Sequence, residues 1–596
     1  MKEEIPHRLE ALREMMRREK LDAFIFPSTD AHQSEYVADH WKGREWISGF
    51  DGSAGTAVVT MTHAALWTDA RYFLAAEEQL AGSGFLLMRQ RMGGTPSIAE
   101  WLGDQLADIE GAIVGLDGSV NSYAAVQQLT AELRARGGIN LRVNFDPLAR
   151  IWPDRPPIPC NKVELQPLEY AGETASSKLK RIRSELRKVH CDGMLLSALD
   201  GIAWALNLRG TDVHCVPVFV AYLLIASDKA TLYVDKKKIT PSVAAYLAQE
   251  GIGMDEYRNI GHGLKDYFEY NILMDPNETG ALLPQFVPSR TQIVFAESPV
   301  PRLKAVKNAA EIAGFHRAMI RDGVAMVKFL RWLESAVATG GESEMTVGHK
   351  LLELRRQQPL FRDISFDTIA GYQEHGAIVH YEATPATDKP LKAEGLLLLD
   401  SGAQYQDGTT DITRTIALGP VSDKQRHVYT LVLKGFLRLQ ALRFPDGACG
   451  TQLDAVAREA MWREGYNFLH GTGHGVGAYL SVHEGPHQIR MEHVAAPLRA
   501  GMTVTDEPGI YLADHFGVRI ENTLLVREAL KSDFGIFLEF EPLTLCPIDT
   551  TPIDLSMLTA EEREWLNEYH RMVFECLSPY LDEEETAWLA GSTQAV

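Results

Sequence analysis

The chain has 596 residues, of which 80 are acidic and 59 basic, and its formal net charge of -21 argues against nucleic acid as a partner, since phosphate binding needs a basic face. An apolar fraction of 45% and the lack of low-complexity tracts imply several domains with sizeable cores. Six scattered cysteines, Cys160, Cys191, Cys215, Cys449, Cys546 and Cys576, form no CxxC pair and read as reduced thiols rather than a disulfide framework.

The opening MKEEIPHRLEALREMMRREK is charged throughout and lacks the apolar core of a secretory signal, so a cytoplasmic location is expected. It also starts a repeat. At an offset of 170 residues, Leu9, Leu12, Arg13, Met16, Arg17 and Asp22 fall on Leu179, Ile182, Arg183, Leu186, Arg187 and Asp192. Phe24-Ile25-Phe26 likewise fall on Met194-Leu195-Leu196, so each copy predicts an amphipathic helix followed by a short buried strand. Further strands are predicted at Gly55 to Thr60 and Val216 to Ala226, and each copy then reaches a strand with aspartate, LWTDARYF or LYVDKKK. Val216 to Ala226 is the longest apolar run and is too short to span a bilayer, so no membrane is expected as a partner. Two related α/β domains are the economical reading.

Proline-dense Trp152 to Pro159 reads as the linker between the copies. A second break near Ser298 to Pro301 precedes a long helical pattern from Asn308 to Leu333. The expected domains are therefore 1–156, 157–298 and 299–596, the third being catalytic.

Five hard ligands follow in the third domain: Asp400, Asp411, His474, Glu507 and Glu521. The buried strand Leu396 to Leu399 delivers Asp400, and an Asp407-Gly408 turn predicts a hairpin returning Asp411 beside it, although an Asp-rich turn alone would look similar. LHGTGHGVG places His470 and His474 among glycines, at a spacing that fits neither HExxH nor a zinc finger; a pair of solvated loop histidines is the competing reading. His483 follows in SVHEGP. TVTDEPGIYL puts Glu507 after an apolar strand, and FGVRIENTLLV puts Arg519 and Glu521 on one face of an alternating strand, where Arg519 could pair with an acidic neighbour. Four carboxylates and one imidazole without cysteine suit Mn²⁺ or another hard divalent ion, and two such ions about 3.5–4 Å apart could share a hydroxide.

These ordered ligands, with VHY at Val379-His380-Tyr381, resemble the pita-bread metallopeptidases. HQSEY (His32 to Tyr36), SGFDGSAGTA (Ser48 to Ala57), WTDARYFL (Trp67 to Leu74), DSGAQYQDGTTDITRT (Asp400 to Thr415), HGTGHGVG (His470 to Gly477), VHEGP (Val482 to Pro486), TDEPG (Thr505 to Gly509) and FGVRIEN (Phe516 to Asn522) resemble more specifically the three-domain cytosolic-type aminopeptidase P family, over nearly the whole chain. That resemblance implies two creatinase-like α/β domains before a pita-bread α+β catalytic domain, and cleavage of the bond before a proline at position 2 of peptides. Asp400 would chelate one ion, His474 and Glu507 the other, and Asp411 and Glu521 both, with Mn²⁺ the expected metal and Co²⁺ or Zn²⁺ the alternatives.

The resemblance also implies that His380 and His483 flank the scissile bond, with Glu507 as base. Arg71, His380, His470, His483 and Arg519 would meet the substrate, and the enzyme would be a homodimer. Two departures stand out: Ile510 where the family often has tyrosine, and the charged loop Gly371 to Gly376, in which His375 reads as solvated or as an extra pocket residue. Rival readings are a prolidase-like dipeptidase, disfavoured by the duplicated front half, a creatinase-type enzyme, and a non-catalytic peptide-binding module, both disfavoured by the intact ligands.

Overall fold

The computed structural model describes residues 4–596; residues 1–3, the first of the charged opening and of the expected first domain, lie outside that range. The chain divides into two compact units, one made of residues up to 166 with 173–300, the other of 167–172 with 301–596.

In the first unit the repeat is structural. Strand Ala23–Phe26 pairs antiparallel with Thr56–Thr60 and parallel with Ile113–Leu116. Its counterpart Gly193–Leu196 pairs antiparallel with Ala221–Ile225 and parallel with Asn271–Met274. Each set extends to six strands in the same order. Helix Ile5–Glu19 buries Leu9, Leu12 and Met16, and helix Ala175–Lys188 buries Leu179, Ile182 and Leu186, the apolar stripe that the spacing predicts. The matched polar residues repeat their contacts as well. Arg13 Nε donates to Thr60 O at 3.0 Å, and Arg183 Nε to Ala226 O at 2.8 Å. Asp22 accepts from Ile113 N at 2.8 Å, and Asp192 from Asn271 N at 3.2 Å. The strand expected from Val216 to Ala226 is confined to Ala221–Ile225. Pro217 has no N–H for a ladder, and the residues around it run as buried irregular chain.

Short helix Val300–Ala305 spans the second boundary and takes Pro301 into its first turn. Helix Ala309–Thr339 is capped by Asn308, whose side chain accepts from Ala310 N and Glu311 N while Glu311 returns to Asn308 N. It outruns the expected end at Leu333 and stops at Gly340 and Gly341, both with positive φ. Behind the site, helix Asp423–Gln440 buries Val428, Val432 and Phe436 in a cluster with Val518, Ile520, Leu566 and Tyr569.

Candidate metal centre

Strand Leu396–Ser401 lies between Ile369–Tyr372 and Ile412–Ala417, with Asp400 opposite Thr413. Asp411 directly precedes the partner strand, so the two carboxylates do come side by side. The Asp407-Gly408 turn closes a different pair, Ala403–Tyr405 with Gly408–Thr409, and Asp407 is buried against Arg317 and Arg321.

His474 sits on short strand Gly473–Gly475, paired with Glu484–Ile489, rather than in a free loop. Glycine at 473 is a packing requirement, since a Cβ there would lie 1.9 Å from Thr505 O. Glu521 departs from the expected alternating strand. It occupies the break between Phe516–Arg519, which pairs with Gly509–Leu512, and Asn522–Ser532, which pairs with Thr503–Asp506. The chain changes sheets there, and Glu521 N donates to Thr413 O at 3.0 Å.

Single ligand atoms of Asp411, His474 and Glu521 all lie within 4.8 Å of one another. His474 Nε2 is 3.5 Å from both Asp411 Oδ2 and Glu507 Oε1. Its Nδ1 lies 2.9 Å from Gly475 O, an acceptor to which Nδ1 donates, and this leaves Nε2 facing the two carboxylates. Burial, then the charges of Asp400 and Glu507, push the Asp411 carboxyl well above the usual carboxylate range. Burial, then Asp411, Asp400 and Glu507, do the same to Glu521. Asp400 Oδ1 is buried without a hydrogen-bond partner. Crowded, desolvated carboxylates and an orphaned acceptor are what a cation resolves, so these residues fit a divalent metal centre.

Around them, Arg519 is 1% exposed, and its Nη2 donates to Asp400 Oδ2 at 2.6 Å and Nε to Thr413 Oγ1 at 3.2 Å. Thr413 in turn donates to Glu521 Oε2 at 2.8 Å. Arg519 Nη1 donates to Tyr511 OH at 2.8 Å, and that hydroxyl lies 2.8 Å from His470 Nε2. The His470 pocket side is thereby linked to Asp400 through two side chains. The His483 ring is 4.5 Å from His474 at 81°. His380 is half-buried in irregular chain beside Val379, whose carbonyl accepts from Arg519 Nη2 at 3.4 Å. His375 is not solvated: its Nδ1 lies 2.8 Å from buried Glu344.

Arg71 belongs to the first unit. Its Nε and Nη2 meet Asp69 at 2.9 and 2.8 Å and its Nη1 lies 3.6 Å from Glu35, so the HQSEY and WTDARYFL segments converge on one guanidinium.

Sequence reasoning missed the supports of the site. Lys304 Nζ donates to Glu484 Oε2 at 2.6 Å and Lys307 Nζ to Oε1, burying two ammonium groups on the residue after His483. Arg458 donates to the carbonyls of Phe468 and His470 and pairs with Asp454. Tyr511, two residues after the DEPG turn, carried a usable signal as a polar aromatic facing the same way as Gly509. The lysines carried none.

Comparison with known proteins places the chain in a class. Residues 313–528 match metallopeptidase family M24 and 536–596 the C-terminal region of peptidase M24, while 8–147 and 154–311 each match the creatinase/prolidase N-terminal domain. The chain belongs to metallopeptidase family M24, with two creatinase-like α/β domains ahead of a pita-bread catalytic domain. Among its relatives, aminopeptidase P2 of Arabidopsis thaliana is 41% identical, over 96% of this chain and 86% of that protein. A probable Xaa-Pro aminopeptidase P of Paracoccidioides lutzii is 39% identical over 99% of both. The crystal structure of X-prolyl aminopeptidase from Caenorhabditis elegans, described as a cytosolic enzyme with a di-nuclear active site, superposes with a TM-score of 0.95 at 33% identity, covering 99% of this chain and 100% of that one.

Proposed function

We infer that this metallopeptidase is an Xaa-Pro aminopeptidase, releasing the first residue of peptides that carry proline at position 2. The observation that carries the reading is the cluster of Asp411, His474 and Glu521, with the charges of Asp400 and Glu507 bearing on it, inside a chain alike, end to end, to aminopeptidases P. Asp400, Asp411, His474, Glu507 and Glu521 would hold two divalent ions, Asp400 on one, His474 and Glu507 on the other, and Asp411 and Glu521 shared; the oxygen-rich set would favour Mn²⁺ over Co²⁺ or Zn²⁺. When bound there, two divalent ions would supply Lewis acidity toward the scissile carbonyl and an attacking water.

The protein's own groups do the rest. Glu507, the less buried of the carboxylates around His474, accepts the proton of the attacking water. His380 and His483 donate to the developing oxyanion and to the leaving proline nitrogen, which has no hydrogen of its own. His470 lines the pocket in the tautomer set by Gly471 O and Tyr511 OH, with Nδ1 donating and Nε2 accepting. Arg519 acts by holding Asp400 and the 379 carbonyl, and Arg71 is assigned to substrate recognition on the family resemblance alone. The working domains are 1–156, 157–298 and 299–596. The enzyme is placed in the cytoplasm, as the Caenorhabditis elegans neighbour is described as cytosolic, and is read as a homodimer from the family resemblance. Among the described residues no helix is long and apolar enough to cross a membrane.

The test is metal content of protein purified without added metal, together with turnover of an Xaa-Pro-Yaa tripeptide, for the wild type and Asp411→Asn. Loss of metal and of turnover together in the variant is expected. Metal-loaded wild type that releases no first residue would sink the enzyme reading.

A further inference from the structure

His380 has no regular secondary structure to place it. After strand Ile369–Tyr372 and a single 3-10 turn, Gln373–Ala377, the chain from Ile378 to Lys389 runs without helix or strand. A side chain that must meet a reacting bond needs its backbone fixed to a fraction of an ångström. The segment on either side of His380 converges on a carboxylate of another element.

Glu344 is the first residue of helix Glu344–Arg356, and its side chain is fully buried. It collects donors from the whole irregular segment. Oε1 accepts from Tyr372 N at 2.8 Å and from His375 Nδ1 at 2.8 Å. Oε2 accepts from Tyr381 OH at 2.8 Å and Lys389 N at 3.1 Å. The Lys389 carbonyl returns the bond, accepting from Glu344 N at 3.1 Å. The His375 ring packs on that of Tyr381 with centroids 4.5 Å apart, closing a cluster immediately after His380. On the other side of His380, the Val379 carbonyl is held by Arg519. Every group facing Glu344 is a donor, so a carboxylate satisfies all of them and an amide of the same size cannot.

We propose that Glu344 is the positioning residue for His380, holding the Gly376–Lys389 segment through Tyr381 so that the His380 imidazole meets the scissile bond. This rests on His380 acting in the reaction, as inferred above. Glu344→Gln turns an NH₂ toward donors and should loosen the segment without touching a metal ligand. Expected are wild-type metal content, a KM within a few-fold of wild type, and a kcat lowered roughly 100-fold, the scale of a small misplacement of a reacting group.

The discriminating measurement is a double-mutant cycle with His380→Ala. If Glu344 works through His380, Glu344→Gln costs almost nothing further in the His380→Ala background. An equal loss of kcat in both backgrounds, or loss of metal in Glu344→Gln, overturns the proposal. Full activity of His380→Ala alone would instead overturn the role of His380, and the two failures are thus distinguishable. Tyr381→Phe removes only the hydroxyl contact and supplies the same cycle should Glu344→Gln not fold; it should lower kcat roughly 10-fold, and additive behaviour there also overturns the proposal.

Discussion

Arg519 and Asp400, distant in the chain, form a buried ion pair with Nη2 2.6 Å from Oδ2, the guanidinium 1% and the carboxylate 10% exposed. The pair engages Oδ2 and leaves Oδ1 of Asp400 buried without a hydrogen-bond partner. Breaking such a pair by removing one partner strands the other charge away from water, which typically costs about 3–5 kcal/mol. Arg519→Met is therefore expected to destabilise the metal-depleted protein by that order, seen as a lower urea midpoint. A change under about 1 kcal/mol would show that Asp400 does not depend on this partner.

Close backbone packing makes a second prediction at Gly473. A Cβ there meets Thr505 O at 1.9 Å, and neither strand can yield because His474 N donates to Thr505 Oγ1 at 3.1 Å. Gly473→Ala should cost about 1–3 kcal/mol of stability and displace His474, so that metal content falls with activity. Gly591→Ala, where nothing lies within 4 Å, is the control and should leave metal content unchanged.

Arg71, proposed to recognise substrate, offers a test that separates recognition from metal binding. Its guanidinium is already oriented by Asp69 and Glu35, and its side chain stays 24% exposed. Loss of a charged hydrogen bond to substrate corresponds to roughly 10- to 100-fold in kcat/KM, so Arg71→Ala should show that loss at full metal occupancy. Steady-state kinetics with parallel metal analysis decide it, and loss of metal would make the role structural.

The pH dependence of stability carries a signature of His570. Burial first, and then the charge of Arg414, hold this imidazole down at about 4 from an ordinary 6.5, and its Nε2 accepts from Ile548 N at 3.1 Å, which requires the neutral ring. With the folded value below the unfolded one, the stabilising contribution is complete above pH 6.5. It is lost as pH falls from there toward 4, where the unfolded chain takes a proton that the folded one refuses. The loss should approach about 3 kcal/mol. Urea midpoints at pH 7 and 4.5 should drop more steeply in the wild type than in His570→Gln; equal drops would show that the group does not titrate in this window.

Several features were legible in the residues because they are local. The two N-terminal domains declared themselves through a helical stripe and a strand at a constant offset, and matching buried apolar residues and matching arginines lie on the first helix of each copy. Asp400 and Asp411 could be placed together since a strand, a turn and a returning strand lie within one short window. The Glu521 strand was misread because alternation of apolar and polar residues cannot reveal where a chain leaves one sheet for another. His375 was misread for a related reason, since its partner Glu344 lies on a separate helix.

The amino-acid order by itself therefore determined a candidate ligand set, the duplicated domains and, through long ordered motifs, the family. Periodicity, turn chemistry and side-chain donor type act over a few residues and need no knowledge of the fold. Only the tertiary structure decided which charge holds which. Arg519 meets Asp400 across 119 residues, Lys304 meets Glu484 across 180, and Tyr381 meets Glu344 across 37. A buried charge must find its partner wherever packing brings one within about 3 Å, and that choice belongs to the assembled core rather than to any segment of the chain.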